Sequence, residues 1–231
     1  MPGQLKNLLA IEPMEQKTLL EILDTAKSMK EVLGRAIKRV PTLNGKTVLM
    51  LFYEPSTRTK ASFSLACKYL SAGTESISTS MSSIKKGETL LDTVRNIEVM
   101  GVDAVVMRHS MAGAAEYLAD RIDLPVLNAG DGMHEHPTQA LLDLYTLREE
   151  RGAIEGQKVV IIGDIAHSRV ARSNIWGLKK LGAQVVLAGP PTMLPPHPEE
   201  FDVEVTADVE EGITDADVIY MLRIQRERQQ S

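Results

Sequence analysis

The sequence is poor in several features that would each indicate a different class of protein. It has a single cysteine, Cys67, so no disulfide can form within the chain, and a reducing cytoplasm is the expected compartment. Aromatic residues make up only 4%, which leaves few of the stacking platforms that single-stranded nucleic acids require. The net charge of -5 also argues against a nucleic-acid partner. No apolar run approaches the ~20 residues that a membrane-spanning helix needs, so we expect no membrane partner.

What the chain does contain is the composition of a globular protein. Apolar residues make up 43% of the 231 residues and charged residues 25%, so we expect a buried core and little disorder. Short apolar runs alternate with segments of helical spacing, a pattern typical of α/β domains with parallel sheets. We therefore predict two doubly wound parallel-sheet domains, at residues 1–152 and 153–231. The second is expected to be incomplete, because no helical pattern follows its last apolar strand, 217–222.

The first candidate site is a turn between the predicted strand 47–51 and the predicted helix 61–70. A strand, a sharp turn and a helix start together aim backbone N–H groups at a bound anion. The turn carries three hydroxyls and one cation, namely Ser56, Thr57, Thr59 and Arg58. Because a basic residue is unfavourable at a helix N-terminus, a bound phosphate would account for Arg58. The alternative is an ordinary Ser or Thr N-cap beside a solvated arginine.

Further candidates follow the later strands of the first predicted sheet. Ligands of parallel sheets bind beyond the carboxyl ends of the strands, and the predicted strand 103–108 ends in Arg108. The predicted strand 125–128 leads into a turn and then to His136, which opens a long predicted helix. A neutral imidazole at a helix start can donate a hydrogen bond to a carbonyl oxygen. We therefore expect the anion turn, Arg108 and the His136 region to share one edge of the sheet.

Three patterns carry competing interpretations. His134 and His136 could form a metal pair with Asp131, although we predict no metal. Gly163-Asp164 after a strand is reminiscent of a dinucleotide site, but the spacing G-x-G-x-x-G is absent. Cys67 lies inside a helical pattern, where a small core residue is a simpler interpretation than a nucleophile.

Five short motifs occur together and in a recognisable order. They are Phe52-x-Glu54-Pro55-Ser56-Thr57-Arg58-Thr59, Lys85-Lys86-Gly87-Glu88-Thr89, Met107-Arg108-His109, Asn128-Ala129-Gly130-Asp131-Gly132 and His136-Pro137-Thr138-Gln139. With these motifs the chain resembles the aspartate/ornithine carbamoyltransferase family over essentially its whole length. The resemblance implies a transferase that needs no cofactor and moves the carbamoyl group of carbamoyl phosphate to an amino group.

The resemblance also implies roles for individual residues. The phosphate of carbamoyl phosphate would be held by Ser56, Thr57, Arg58 and Thr59. The carbonyl oxygen would be contacted by Thr59, Arg108 and His136, and the amino group by Gln139. Catalytic roles are implied for His136, Arg58, Thr59 and Arg108. Donors placed around the carbonyl oxygen suit this reaction, because negative charge develops there in the transition state.

The second half of the chain resembles the aspartate branch of the family. By this resemblance L-aspartate would be bound by Arg169, Arg223 and Gln225. Two further residues, Ser82 and Lys86, would reach into a neighbouring subunit's site, where Lys86 would also contact aspartate. Two fixed guanidiniums suit a dicarboxylate, whereas the second cation of ornithine would be repelled. For Lys86 a solvated loop is the alternative.

The implied product is N-carbamoyl-L-aspartate, made for pyrimidine biosynthesis by a cytoplasmic homotrimer. Whether regulatory chains or another pyrimidine-pathway enzyme bind the trimer is left open. Family chains continue beyond the point that corresponds to Ser231. One alternative is therefore a truncated, non-catalytic form that binds carbamoyl phosphate or assembles with partners. A second alternative is an ornithine carbamoyltransferase, which the segment with Arg223 and Gln225 disfavours.

Overall fold

The computed structural model describes residues 5–78 and 89–223. The described chain forms two compact units. One contains the described residues up to Leu9 and those of Thr25–His134, and the other contains Ala10–Asp24 and the described residues from Glu135 onward. The domain boundary expected at Gly152 stays a prediction.

The first unit is built on a parallel sheet. In chain order the elements up to the end of this sheet are α1 (Gln16–Leu33), β1 (Thr47–Phe52), α2 (Thr57–Tyr69), β2 (Gly73–Ser78), α3 (Leu90–Glu98), β3 (Ala104–His109), α4 (Ala114–Ala119) and β4 (Val126–Asp131). The four strands lie in the order β2-β1-β3-β4, and every neighbouring pair is parallel. Helix α2 begins earlier than the predicted residue 61, because the hydroxyl-rich turn itself forms the first helical turn.

Both faces of the first sheet are covered. Alternate residues of β1 enter two different apolar clusters, as the two-residue period of a strand requires. Leu49 and Leu51 pack with Val94 of α3 and Leu118 of α4. Val48, Met50 and Phe52 pack in the cluster that contains Cys67 of α2. Cys67 is thus confirmed as a core residue, and burial raises the pKa of its thiol.

The second unit contains a second parallel sheet. Its elements are α5 (Pro137–Arg151), β5 (Lys158–Ile162), α6 (Arg169–Lys180), β6 (Gln184–Ala188), two short 3-10 helices (Pro191–Met193 and Pro198–Phe201), β7 (Glu204–Thr206), α7 (Val209–Ile213) and β8 (Val218–Met221). The strand order is β7-β6-β5-β8. The α/β class with two parallel sheets is confirmed. Helix α7 was not predicted, because a helix of five residues is too short to show a periodic pattern.

Strand β8 lies at the edge of the second sheet and exposes part of one face. Ile219 is 50% exposed and Met221 68%, whereas Val218 and Tyr220 are half-buried. The strand predicted at 217–222 is therefore present, but its sequence, apolar at almost every position, does not reveal that alternate side chains are exposed.

Among the described residues, no helix combines the length and the apolar character needed to cross a membrane.

Candidate active site

Helix α2 begins without a side-chain cap. Ser56 occupies the N-cap position with an extended backbone (φ -158°), yet its hydroxyl makes no capping hydrogen bond. The hydroxyl instead donates to Oγ1 of Thr59 at 2.9 Å. Thr57 and Arg58 are exposed. The first N–H groups of a helix have no intrahelical acceptor, so the first turn of α2 offers donors and a positive dipole end to an anion.

Arg108 is fixed beside this turn. It pairs in register with Phe52, so the two residues lie together where β1 and β3 end. The guanidinium of Arg108, in a residue only 9% exposed, donates to the backbone oxygen of Ala129 at 3.0 Å and forms an ion pair with Glu54 at 2.5 Å. These two contacts orient a cation at the carboxyl edge of the sheet. The expectation that the anion turn and Arg108 share this edge is confirmed.

The turn that ends β4 is held by a buried carboxylate. Asp131 accepts hydrogen bonds from Asn128 at 2.7 Å and from the backbone N–H of Gly113 at 2.8 Å, and it lies 3.1 Å from Nδ1 of His134. Burial by itself raises the pKa of Asp131, but these contacts outweigh burial and leave that pKa lowered. These contacts of the Asp131 carboxylate hold together the turn that follows β4.

His136 is the N-cap of α5 and only 6% exposed. Its backbone N–H donates to Oγ of Ser173 at 2.8 Å, and the Ser173 hydroxyl donates to Oε2 of Glu135 at 2.7 Å. Glu135 is fully buried and also accepts the backbone N–H groups of Ile11 and Glu12, at 2.7 and 3.0 Å. This chain of hydrogen bonds between α5, α6 and the segment before α1 fixes the start of α5, and with it the position of His136.

Gln139 lies in the first turn of α5 and is held by a second carboxylate. Its Nε2 donates to Oδ1 of Asp143 at 3.0 Å. The other oxygen of Asp143 accepts from Nδ2 of Asn174 at 2.8 Å and from the Tyr220 hydroxyl at 2.9 Å. Gln139 is therefore held in a network that joins α5, α6 and β8.

The predicted aspartate-binding residues have contrasting positions. Arg169 opens α6 and is only 2% exposed, while Arg223 is exposed and lies two residues beyond β8. Three predicted site residues, Ser82, Lys86 and Gln225, lie outside the described residues.

The predicted site residues in the described chain divide between the two units. The first unit contains Ser56, Thr57, Arg58, Thr59 and Arg108. The second unit contains His136, Gln139, Arg169 and Arg223. Within the first unit Arg108 lies next to the anion turn, and within the second His136 and Gln139 share one helix turn.

Sequence reasoning missed the residues that orient these side chains. They are Glu54, Glu135, Asp143, Ser173, Asn174 and Tyr220. Asp143 could have been found, because residues four apart on a helix face each other and Asp143 follows Gln139 at that spacing. Ser173 and Tyr220 carry no such local signal, since they come from other elements.

The fold and these contacts define a class of α/β proteins whose polar residues gather at the carboxyl ends of parallel strands and at the helix starts that follow. Family comparison narrows this class. The carbamoyl-phosphate-binding domain of aspartate/ornithine carbamoyltransferases matches residues 6–149, and the Asp/Orn-binding domain matches residues 155–231. The chain belongs to the aspartate/ornithine carbamoyltransferase family.

Individual relatives point to one branch of that family. An aspartate carbamoyltransferase catalytic subunit of Halothermothrix orenii is 60% identical over 225 residues, which are 97% of this chain and 72% of the relative. Among solved structures, the catalytic subunit of M. jannaschii aspartate transcarbamoylase is 36% identical with a TM-score of 0.84, over 98% of this chain and 76% of that one. The Trypanosoma cruzi aspartate transcarbamoylase in complex with carbamoyl phosphate and aspartate is 30% identical with a TM-score of 0.87, over 97% of this chain and 74% of that one.

Proposed function

We propose that this chain transfers the carbamoyl group of carbamoyl phosphate to the amino group of L-aspartate, giving N-carbamoyl-L-aspartate and phosphate. The uncapped start of α2 carries the proposal, because its first-turn N–H groups are available to a phosphate. The names of the relatives support the choice of aspartate, and the T. cruzi enzyme binds both substrates.

The first unit binds the phosphate and neutralises the charge of the leaving group. Ser56, Thr57 and Thr59 supply hydroxyls, and Arg58 adds a guanidinium that presents several donors in a fixed plane. The helix dipole of α2 favours the same negative charge. These groups stabilise phosphate as the carbon–oxygen bond breaks, since the negative charge on the departing phosphate grows during that step.

The carbonyl oxygen of the carbamoyl group requires separate donors. When the aspartate nitrogen attacks the carbonyl carbon, a carbon–nitrogen bond forms, the amine loses a proton and negative charge moves to the carbonyl oxygen. Thr59, Arg108 and His136 stabilise this charge as preorganised donors. The ion pair of Arg108 with Glu54 and the hydrogen-bonded start of α5 support this role, because both reduce reorganisation during the reaction.

The carboxylates of aspartate bind to the second unit, and to residues outside the described chain. Arg169 and Arg223 provide guanidiniums, which pair with carboxylates through parallel hydrogen bonds. Gln225 and Lys86 complete the set.

A radiochemical assay tests the proposal. The chain is incubated with labelled carbamoyl phosphate and either L-aspartate or L-ornithine, and the labelled products are separated. We expect carbamoyl aspartate to predominate. A preference for ornithine would place the chain in the other branch, and carbamoyl phosphate binding without turnover would identify the non-catalytic alternative.

The proposal includes an assembly and a place of action. The chain forms a homotrimer in the cytoplasm, serves pyrimidine biosynthesis, and takes Ser82 and Lys86 from a neighbouring subunit into each active site. The single cysteine supports a reducing compartment.

Subunit mixing tests the shared site. Lys86→Ala chains mixed with Arg58→Ala chains should recover part of the activity, since some interfaces then combine an intact Lys86 with an intact Arg58. Each variant dissociated and reassembled by itself serves as the control. If verified subunit exchange restores no activity, the segment with Lys86 serves its own subunit.

A further inference from the structure

The amide of Gln139 has a defined orientation. Its partner, the carboxylate of Asp143, lies 3.0 Å away and one helical turn further along α5. An ionised carboxylate only accepts hydrogen bonds, so the amide atom that faces Asp143 must be the nitrogen. The amide oxygen, Oε1, therefore faces away from Asp143 and is presented as an acceptor.

Asp143 is itself held from two other elements. Asn174 of α6, which is 1% exposed, donates to Oδ2 of Asp143 at 2.8 Å, and Tyr220 of β8 donates to the same oxygen at 2.9 Å. Burial and the Asp143 carboxylate both raise the pKa of Tyr220, so the phenol keeps its proton and remains a donor. These contacts leave the carboxylate little freedom to turn away from Gln139.

An amide oxygen in a fixed orientation distinguishes between acyl phosphates. A carbamoyl group has an NH2 that can donate to this oxygen, whereas an acetyl group has a methyl in the same place. A site built to hydrogen-bond an N–H group discriminates against an analogue that lacks it, because the polar group of the site is then left without a partner.

We propose that Asp143 is the positioning residue that makes the site specific for carbamoyl phosphate, by fixing the amide oxygen of Gln139 as the acceptor for the carbamoyl NH2. The inference rests on the proposed function, because it assigns Gln139 to the carbamoyl group. Asp143 touches no substrate. It acts through Gln139, and Asn174 and Tyr220 support it.

The test compares two ligands on one substitution. In Asp143→Asn an amide replaces the carboxylate. Because Asn174 and Tyr220 both donate to the position of Oδ2, the new amide keeps its oxygen there and turns its NH2 toward Gln139, which reverses the preferred orientation of the Gln139 amide. We expect the dissociation constant for carbamoyl phosphate, measured by calorimetry, to rise roughly tenfold. The dissociation constant for acetyl phosphate should stay within about twofold, because its methyl group makes no hydrogen bond.

A matched control lies on the same helix. Glu150→Gln makes the same change of carboxylate to amide at an exposed position of α5, and both affinities should match the wild type. If Asp143→Asn weakens both ligands equally, Asp143 is merely structural and the inference is overturned. Unchanged affinity for both ligands would also overturn it.

A second variant covers the case in which Asp143→Asn does not fold. Tyr220→Phe removes one donor to Asp143 and leaves the carboxylate in place, so it should lower the preference for carbamoyl over acetyl phosphate by about twofold to fivefold. An unchanged preference in Tyr220→Phe would then overturn the inference. A wild-type chain that binds carbamoyl phosphate no better than acetyl phosphate would reject it as well. Failure to form carbamoyl aspartate, with this preference intact, counts against the proposed function alone.

Discussion

Helices α2 and α6 begin alike in sequence and differently in structure. Each follows an inner strand of its sheet, β1 or β5, and each has a serine at the N-cap with an arginine in the first turn. Ser168 accepts the backbone N–H of Ala171 at 3.1 Å and caps α6, whereas Ser56 donates to Thr59 and makes no capping bond. Arg169 is buried, whereas Arg58 is exposed.

The difference shows that a serine before a helix does not by itself identify an anion site. At α6 the serine satisfies one of the helix N–H groups internally. At α2 the serine hydroxyl is turned to a neighbouring threonine, so the N–H groups of the first turn remain for a ligand. The same residue type therefore caps α6 and leaves α2 without a side-chain cap.

The largest effect is expected at α5, a third helix start, where the side chain is proposed to act in catalysis. His136→Ala removes one donor to the developing oxyanion, so kcat should fall by ~100- to 1000-fold with a smaller change in the affinity for carbamoyl phosphate. Steady-state kinetics and calorimetry measure the two quantities. His197→Ala, at an exposed histidine of the same unit, is the matched control. Wild-type turnover in His136→Ala would remove this histidine from the mechanism.

A smaller effect sharpens the contrast between the two arginines. Arg58→Ala removes the charged hydrogen-bond partner proposed for the phosphate, so binding of carbamoyl phosphate should weaken by about 1.5–3 kcal/mol. Lys68→Ala removes a positive charge from the exposed far end of the same helix and should change binding little. Titrations at low salt, where charge effects are largest, give the comparison. Equal losses in the two variants would reduce the role of Arg58 to long-range attraction.

The fold and the motifs could be predicted because they are local. The apolar run at 47–51 has the length of a strand, and the order of the five motifs is specific even though each motif is weak. Whether a serine at the N-cap makes a capping hydrogen bond could not be predicted in this way. Whether Ser56 accepts from a helix N–H or donates to Thr59 depends on a rotation of its hydroxyl, which the sequence does not record.

Contacts between residues far apart in the sequence could not be predicted either. Glu135 meets Ser173 across 38 positions of sequence, and Asp143 meets Tyr220 across 77. These partners are chosen by the packing of α5, α6 and β8, so no spacing along the chain could reveal them. The groups proposed to touch substrate belong to motifs, whereas the groups that orient them come mostly from the tertiary fold.

The smallest effect tests the comparison directly, through stability. Ser168→Ala removes a capping hydrogen bond and should destabilise the protein by about 1 kcal/mol. For a chain of this size that corresponds to a fall of roughly 2–4 °C in the melting temperature, if unfolding is close to two-state. Ser56→Ala removes no cap, so without ligand it should shift the melting temperature by less than Ser168→Ala does.

Carbamoyl phosphate should separate the two variants in the opposite sense, because the rise in melting temperature on binding is expected to be reduced in Ser56→Ala and not in Ser168→Ala. A ligand that binds only the folded state raises the melting temperature according to its affinity. Ser168→Ala should therefore gain as much from carbamoyl phosphate as the wild type, whereas Ser56→Ala should gain less because a phosphate contact is missing. Differential scanning calorimetry of the wild type and both variants, with and without ligand, measures the two losses of stability and the two gains on binding. Equal losses of stability without ligand, together with equal gains on adding it, would mean that the two serines have the same role. The difference in capping between α2 and α6 would then be unrelated to ligand binding.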